Sequence, residues 1–476
     1  MDNIGKNVLL IDLPTFPRGV LSLSLPTVAA CLRADARVRI VDLNFHGEED
    51  YRRALRAGGS ADMVGMKVSA QNLERARAVS ALCRELFPGS RIVWGGEAPT
   101  LLPEECLKDA DSIVRGRFEP HAKEMLGALA GCEFKRIYES DSPAAFNGAP
   151  PPALDLIAGP EKYLQFMGLP LETSLGCMES CTFCMVRTMQ KKVDLRAADS
   201  LRKDLDAARR AFINVVDYNI GNSKEHLITV ARALGATDTY GWMCETCVEN
   251  LEDDDVLDAL AASRCRMVYC GLESLSPMSL KYVNKPQNDV ESYRRIIRKA
   301  QSRGVEVASG FILGLGETTH ASFREFGDFA DEIGLIYLKL TFLTFNPGDK
   351  VNASMSKKGR YLSERFSDFD GNHLTFLPEG LRPEVVFDGA RDLIERFYSL
   401  GSLWRRSAHL SGRPARRAEF MLFSYCYGQA YRDWLAFDVL RLSGGRFEDM
   451  MRRPMKKTVG LRLAESALSR LRSFAG

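Results

Sequence analysis

The stretch Gly176-Cys177-Met178-Glu179-Ser180-Cys181-Thr182-Phe183-Cys184 decides how this chain is read. Its spacing is Cys-x3-Cys-x2-Cys, directly after Glu172 to Leu175, which reads as a strand. Three thiolates on one short loop can wrap three irons of a cubane and leave the fourth open, whereas ordinary [4Fe–4S] proteins supply four cysteines. A structural zinc wants a fourth Cys or His, and the first histidine downstream, His226, lies far outside the loop. On these residues alone, zinc and chance spacing remain the alternatives to iron–sulfur.

Around the triplet runs a series of β/α units. Strands are expected at Glu172 to Leu175, Val215 to Tyr218, Gly241 to Cys244, Met267 to Cys270, Glu306 to Leu313 and Tyr337 to Phe342. Helical periodicity fills the intervals at Ala197 to Ala211, Lys224 to Ala233, Asp253 to Ala262, Val290 to Ser302 and Ala321 to Ile333. Six such units predict a partial (β/α)6 barrel over residues 166–375, with its site at the carboxyl ends of the strands. From 376 to 476 strand signals stop and a helical, aromatic and basic region follows, with Trp404, Tyr425, Tyr427, Tyr431 and Trp434. Its stretch Phe420 to Arg441 reads as amphipathic packing rather than as a face for a hydrophobic substrate.

Residues 1–145 also alternate strands and helices, at Val8 to Ile11, Leu25 to Leu32, Val38 to Val41, Asp50 to Ala57, Met63 to Val68, Leu73 to Leu86, Arg91 to Trp94 and Ser112 to Val114. This predicts a doubly wound, Rossmann-like α/β domain whose ligand sits at the carboxyl ends of the strands. Gly95-Gly96 falls at such an end, where a missing side chain lets a bulky ligand approach the backbone. A nicotinamide site would want Gly-x-Gly-x-x-Gly after the first strand, and Asp12 to Gly19 reads DLPTFPRG instead. Residues 146–165 form a linker, whose start is marked by the Pro- and Gly-rich run Ala144 to Pro152.

The net charge of +2, with both signs interleaved, excludes nucleic-acid binding through bulk charge. No apolar run approaches a membrane span, and the N-terminus has no signal-peptide pattern, so the cytoplasm is the expected compartment. Of 12 cysteines, most stand singly, as buried apolar thiols of a reducing compartment do. The pair Cys244 and Cys247 closes the third barrel strand and reads as structural or barrel-lining thiols, with a redox pair or second cluster as the alternatives.

The cysteine spacing, the aromatic Phe183 before the third cysteine and the β/α context together resemble the radical S-adenosylmethionine (SAM) superfamily. The resemblance implies a [4Fe–4S] cluster on Cys177, Cys181 and Cys184, with its open iron chelating SAM. Gly271-Leu272-Glu273-Ser274, Gly310-Phe-Ile-Leu-Gly-Leu-Gly-Glu-Thr318 and Asn346-Pro347-Gly348 end strands that in relatives line SAM. Asp217, Asn219, Glu273, Ser274, Phe183 and Gly314 are accordingly expected around SAM, the first two near its ammonium.

The N-terminal region resembles the cobalamin-binding domain that precedes the barrel in one large radical SAM class. The matching elements are Leu25-Pro26-Thr27-Val28-Ala29-Ala30, Asp62-Met-Val-Gly65-Met-Lys-Val-Ser69, Gly95-Gly96-Glu97-Ala98-Pro99-Thr100 and Val114-Arg-Gly-Arg-Phe-Glu119. Pro26, Ser69, Gly95, Gly96 and Glu97 are the expected cobalamin contacts. Two features depart from the pattern. The Asp-x-His-x-x-Gly of many B12 proteins is absent, and Arg117-Phe118 stands where relatives more often show acidic or glycine residues.

The resemblance implies a cobalamin-dependent methyltransferase acting on an unactivated carbon of a small molecule, lipid or natural product, served by an electron donor such as flavodoxin or ferredoxin. A rearrangement, cyclisation or carbon–carbon coupling is the second reading. A methylthiotransferase would want three further spaced cysteines in the N-terminal region, and a cofactor-binding sensor would not cleave SAM. The sequence singles out no catalytic side chain.

Overall fold

The computed structural model describes residues 5–475 apart from 16–17, 132, 141–142, 191, 208–209, 316–318, 345–361, 364, 366–367, 378–381 and 437–451. Two parallel six-stranded sheets organise the chain. The first runs β1 (Lys6–Asp12), β2 (Ala36–Asp42), β3 (Met63–Lys67), β4 (Arg91–Gly95), β5 (Ser112–Gly116) and β6 (Ile137–Ser140), in the order β2-β1-β3-β4-β5-β6. The reversal between β1 and β3 opens a crevice at the strands' carboxyl ends, as doubly wound sheets do. The sixth strand is not evident in the sequence: of its four residues only Tyr138 is buried, so it lacks the apolar run that marks the others.

The second sheet contains β7 (Leu169–Leu171), β10 (Phe212–Val215), β11 (Gly241–Glu245), β12 (Cys265–Glu273), β13 (Glu306–Leu313) and β14 (Leu338–Phe342). Their order β14-β13-β12-β11-β10-β7 is that of an open half-barrel, with β/α crossovers outside it. The first barrel strand lies earlier than the sequence suggests. Leu169–Leu171 pairs with β10, while β8 (Ser174–Leu175) pairs antiparallel with β9 (Asp194–Leu195) in a separate ribbon. Glu172 and Thr173 thus form the step from barrel strand to ribbon, and the ribbon clasps the base of the cysteine loop. The second strand likewise ends at Val215, which puts Asp217 and Asn219 on the loop beyond it.

Residues 146–165 contain short 3-10 turns and bury Phe146, Ala153, Tyr163 and Leu164. Phe146 is held between two guanidinium groups, Arg117 of the first domain (4.9 Å to the ring centroid) and Arg196 of the second (5.6 Å). Arg117 also pairs with Glu119 and reaches Glu172 at 3.4 Å, while Arg196 donates to the Glu172 carbonyl at 3.2 Å. Desolvated cation–π contacts of this kind contribute about 1–2 kcal/mol each. The carboxyl ends of the first sheet are thereby set against the mouth of the half-barrel.

An open half-barrel leaves two edge strands, β7 and β14, and the unpaired edge of β14 must be covered. Here Tyr398 and Tyr431 of the C-terminal helices Pro383–Phe397 (its cap) and Pro414–Ala436 cover it. The Tyr398 hydroxyl accepts from Leu338 N–H and donates to Leu338 C=O at 3.1 and 2.9 Å. The Tyr431 hydroxyl does the same at Leu340, at 3.1 and 2.8 Å. Phe420, Phe423, Tyr427 and Tyr431 are buried in the barrel core, as amphipathic packing requires.

Because both groups of Leu340 are buried, Tyr431→Phe should cost about 1–3 kcal/mol of stability, the penalty of an unsatisfied buried backbone pair. A urea midpoint unchanged in this variant would show that the hydroxyl is not what closes the edge.

Candidate functional site

The cysteine loop leaves the ribbon at Gly176, whose φ of +79° and whose closeness to the Lys192 carbonyl (2.5 Å from an added Cβ) admit only glycine. Neighbouring loops pin its backbone. Asn222 accepts from Met178 N–H at 2.9 Å and donates to Gly176 C=O at 3.2 Å. Asn284 donates to Ser180, and Thr182 N–H reaches the Val283 carbonyl at 3.0 Å. Cys177, Cys181 and Cys184 are half-buried free thiols. Burial, and then the proximity of Cys181 and Cys177, pushes the Cys184 thiol up to about 11. Three thiols that repel one another as anions in a partly dry pocket form a donor set suited to a cationic iron cluster, which stabilises thiolates.

Asp217 is buried beneath the loop, and both its oxygens are engaged. It accepts from Thr173 N–H and hydroxyl at 2.6 and 2.5 Å and from Ser174 at 2.7 Å. The geometry makes it a buttress of the loop's entry and leaves no oxygen open towards an ammonium group. Asn219, also buried, accepts from Thr246 at 2.9 Å and donates to the Cys247 sulfur at 3.4 Å. Its amide also acts on the Cys177 thiol, which places it beside the loop.

Glu273 adopts φ +64° at the end of β12 and pairs with Lys285 at 2.8 Å. Lys285 further donates to the Gly271 carbonyl at 2.8 Å, and its charge acts on the triplet cysteines. Ser274 is buried and accepts from Ser276 N–H at 3.0 Å. Phe183 packs against the small apolar cluster of Val283, Ile312, Leu315, Leu343 and Phe376. Gly314 has φ +91°, which a side chain would strain. Gly316, Glu317, Thr318 and Asn346-Pro347-Gly348 lie outside the described residues.

The cysteine pair is divided by the structure. Cys244 is buried on β11 against Cys265, whereas Cys247 is half-buried beside Cys177. With two residues between them the cysteines are three positions apart, so alternation at the strand's end turns one side chain into the core and the other toward the loop.

At the carboxyl ends of the first sheet an open cleft of about 950 Å³, counted with its mouth, lies between the helix Ser24–Leu32 and the strands. Gly65, Gly95, Gly96 and Gly116 line it, with Thr27, Val28, Lys67, Arg117 and Glu172. The string of glycines leaves room for a wide, flat ligand along the sheet. Gly95 and Gly96 therefore stand where expected. Pro26 does not line the cleft; it is buried, and its carbonyl accepts from Ala153 N–H at 3.0 Å. Ser69 and Glu97 also lie off its walls, Ser69 at the N-cap of a 3-10 turn and Glu97 in a buried environment that raises its carboxyl. Lys67 and Gly116 lie inside the stretches that carry the cobalamin-domain resemblance without being marked there as contacts, and Glu172 lies beyond the linker; the strand register gathers them at the cleft. Tyr218, half exposed, lies among Glu97, Glu172, Cys184 and Glu245, where burial and these neighbours push its phenol up to about 12. The cleft and the cysteine loop consequently open onto one space.

Comparison with known proteins matches the radical SAM superfamily over residues 171–330 and the B12 binding domain over residues 15–126. The bacteriochlorophyllide d C-12(1)-methyltransferase of Chlorobaculum tepidum is 21% identical over 76% of this chain and 79% of its own length. The hopanoid C-2 methylase of Rhodopseudomonas palustris is 23% identical over 84% of this chain and 74% of its own. Among solved structures, the radical SAM methyltransferase TsrM of Kitasatospora setae aligns with a TM-score of 0.63 at 15% identity, over 91% of this chain and 99% of that one.

Two sets of variants test the sites. Anaerobic reconstitution should load about four irons per chain; Ala at Cys177, Cys181 or Cys184 should lose them, and Ala at Cys244 or Cys247 should keep them. A Cβ at Gly95 meets only Val114 at 3.9 Å, so Gly95→Leu should fold normally yet reduce cobalamin retention. Gly96, at φ +108° and 2.9 Å from the Val68 carbonyl, should instead lose about 1–3 kcal/mol of stability when substituted. Equal cobalamin content in wild type and Gly95→Leu would remove the cleft from consideration.

Proposed function

We propose that this chain, a member of the radical SAM superfamily with a B12-binding domain ahead of its half-barrel, is a cobalamin-dependent C-methyltransferase acting on an unactivated carbon. The observation that carries this reading is that Glu172, on the wall of the glycine-lined cleft, and Cys184 of the cysteine loop both act on the Tyr218 phenol. Relatives of both domains that are named for methylation at carbon support it.

When bound, the cluster with SAM would supply a 5′-deoxyadenosyl radical and cobalamin would supply the methyl group. The chain's own residues do the rest. Cys177, Cys181 and Cys184 hold the cluster, with Asn219 and the Glu273–Lys285 pair bordering the SAM side. Asp217 keeps the loop's entry rigid through Thr173 and Ser174. Gly95, Gly96 and Gly116 leave the cleft wide enough for the corrin's bulk. The Arg117–Phe146–Arg196 contact holds the two sites together, which methyl handover at short range requires. A small-molecule substrate, a flavodoxin- or ferredoxin-type electron donor and a cytoplasmic setting complete the proposal. No helix among the described residues is long and apolar enough to cross a membrane.

Methylation consumes two SAM molecules by different routes. With the true substrate, S-adenosylhomocysteine and 5′-deoxyadenosine should accumulate in about equal amounts, and labelled SAM methyl should appear on product carbon. Turnover without transferred label would favour rearrangement or cyclisation instead.

A further inference from the structure

The floor of the half-barrel is built from phenols. Tyr269 on β12 lies next to Tyr337, the residue before β14, with ring centroids 5.7 Å apart. Between them β13 presents Ala308, the partner of Tyr269 in the strand register, which is small enough to let the rings meet. Tyr337 stacks on Tyr427 at 3.9 Å and 29°, and the Tyr427 hydroxyl donates to the Tyr337 oxygen. Tyr398 and Tyr431 lie 5.9 and 5.7 Å beyond Tyr427.

Packing and edge closure explain four of these hydroxyls: Tyr398 and Tyr431 serve β14, and Tyr337 and Tyr427 bond each other. They do not explain the fifth. The Tyr269 hydroxyl makes no hydrogen bond among the described residues, and a phenylalanine would fill the same volume. It occupies the space above Gly310, where an added Cβ would collide with it. Gly310 pairs with Gly271, and the corresponding space at Gly271 holds the Glu273 carboxylate and the Lys285 ammonium. The free phenol O–H thus shares a layer with the pair that borders the cysteine loop. Burial, followed by Glu273 and Glu245, raises its pKa and keeps the proton on. The oxygen is not among the fully enclosed polar atoms that lack a partner, so the O–H faces the open lumen rather than a sealed pocket.

We propose that Tyr269 is a protective hydrogen-atom donor, which quenches the 5′-deoxyadenosyl radical formed when no substrate fills the lumen, and that Tyr337 and Tyr427 draw the resulting hole away. This rests on the radical SAM reading above. The Tyr269 O–H bond breaks and the C5′–H bond forms, giving 5′-deoxyadenosine and a neutral tyrosyl radical. The step runs downhill because a phenol O–H bond is weaker than a primary alkyl C–H bond. One electron from the reductant that serves the cluster then passes to Tyr269 through the adjacent Tyr427 and Tyr337 rings, and water in the lumen supplies the proton that restores its O–H. A substrate in the lumen covers Tyr269 and takes the radical first.

The test uses reconstituted full-length enzyme with SAM and chemical reductant, without substrate, in deuterated water, where phenol protons exchange. Wild type should form 5′-deoxyadenosine carrying deuterium, and the deuterated fraction should fall about tenfold in Tyr269→Phe. Freeze-quenched wild type should also show a tyrosyl radical in electron paramagnetic resonance, narrowed when the protein is grown with ring-deuterated tyrosine. That second measurement needs no variant and survives a Tyr269→Phe that folds badly. Equal deuterium in both proteins, or a radical signal indifferent to ring deuteration, overturns the proposal. Wild type that makes no 5′-deoxyadenosine at all overturns the radical reading itself, and the proposal with it.

Discussion

Everything in this molecule depends on one ring held between two cations. Phe146 lies in a stretch whose composition marks it as a spacer, yet it is 2% exposed and sandwiched by Arg117 and Arg196. The first guanidinium belongs to the domain that offers the glycine-lined cleft, and the second to the base of the cysteine loop. Neither domain brings both sites alone. The contact makes them face each other, and Glu172, bonded from both sides, completes it. The Arg117 that departs from the usual pattern of the B12-binding class is therefore a structural part of this interface.

The half-barrel poses a second problem, because it has a free edge and an open lumen. Both are answered by aromatic residues from the C-terminal region rather than by more strands. Tyrosine suits the edge because one hydroxyl both donates and accepts, and so satisfies a backbone N–H and C=O together. It suits the floor because its ring fills volume while its oxygen can still be chemically engaged. Tyr269 is the member of the set in which the second property is not used by the fold.

Asp217 illustrates how a residue can be in the right place for another reason. A carboxylate just past a barrel strand looks available to a cationic ligand. In the structure its lone pairs go to Thr173 and Ser174, with His226 at 3.2 Å from the same Thr173 hydroxyl. A buried carboxylate with such partners gains more from local hydrogen bonds than from an open pocket, and the rigidity passes to the loop that follows.

The sequence by itself determined the two α/β domains, the cysteine loop and the glycine pair at the end of β4. These are local: periodicity, a short spacing and a backbone conformation each need only neighbouring residues to be legible. Even there the edges slipped, since β6 is too polar to stand out and β7 begins before the segment that looks most strand-like. What only the tertiary structure decided involves residues far apart in the chain. It separated Cys244 from Cys247, turned Asp217 into a buttress, moved Pro26, Ser69 and Glu97 off the cleft wall, and gathered Lys67, Gly116 and Glu172 onto it. It also brought Tyr337 into contact with Tyr269, and Tyr427 into contact with Tyr337, across about 70 and 90 residues. The physical reason is that strand register and side-chain burial, which set where a polar group finds its partner, are properties of the packed sheet and not of any segment within it.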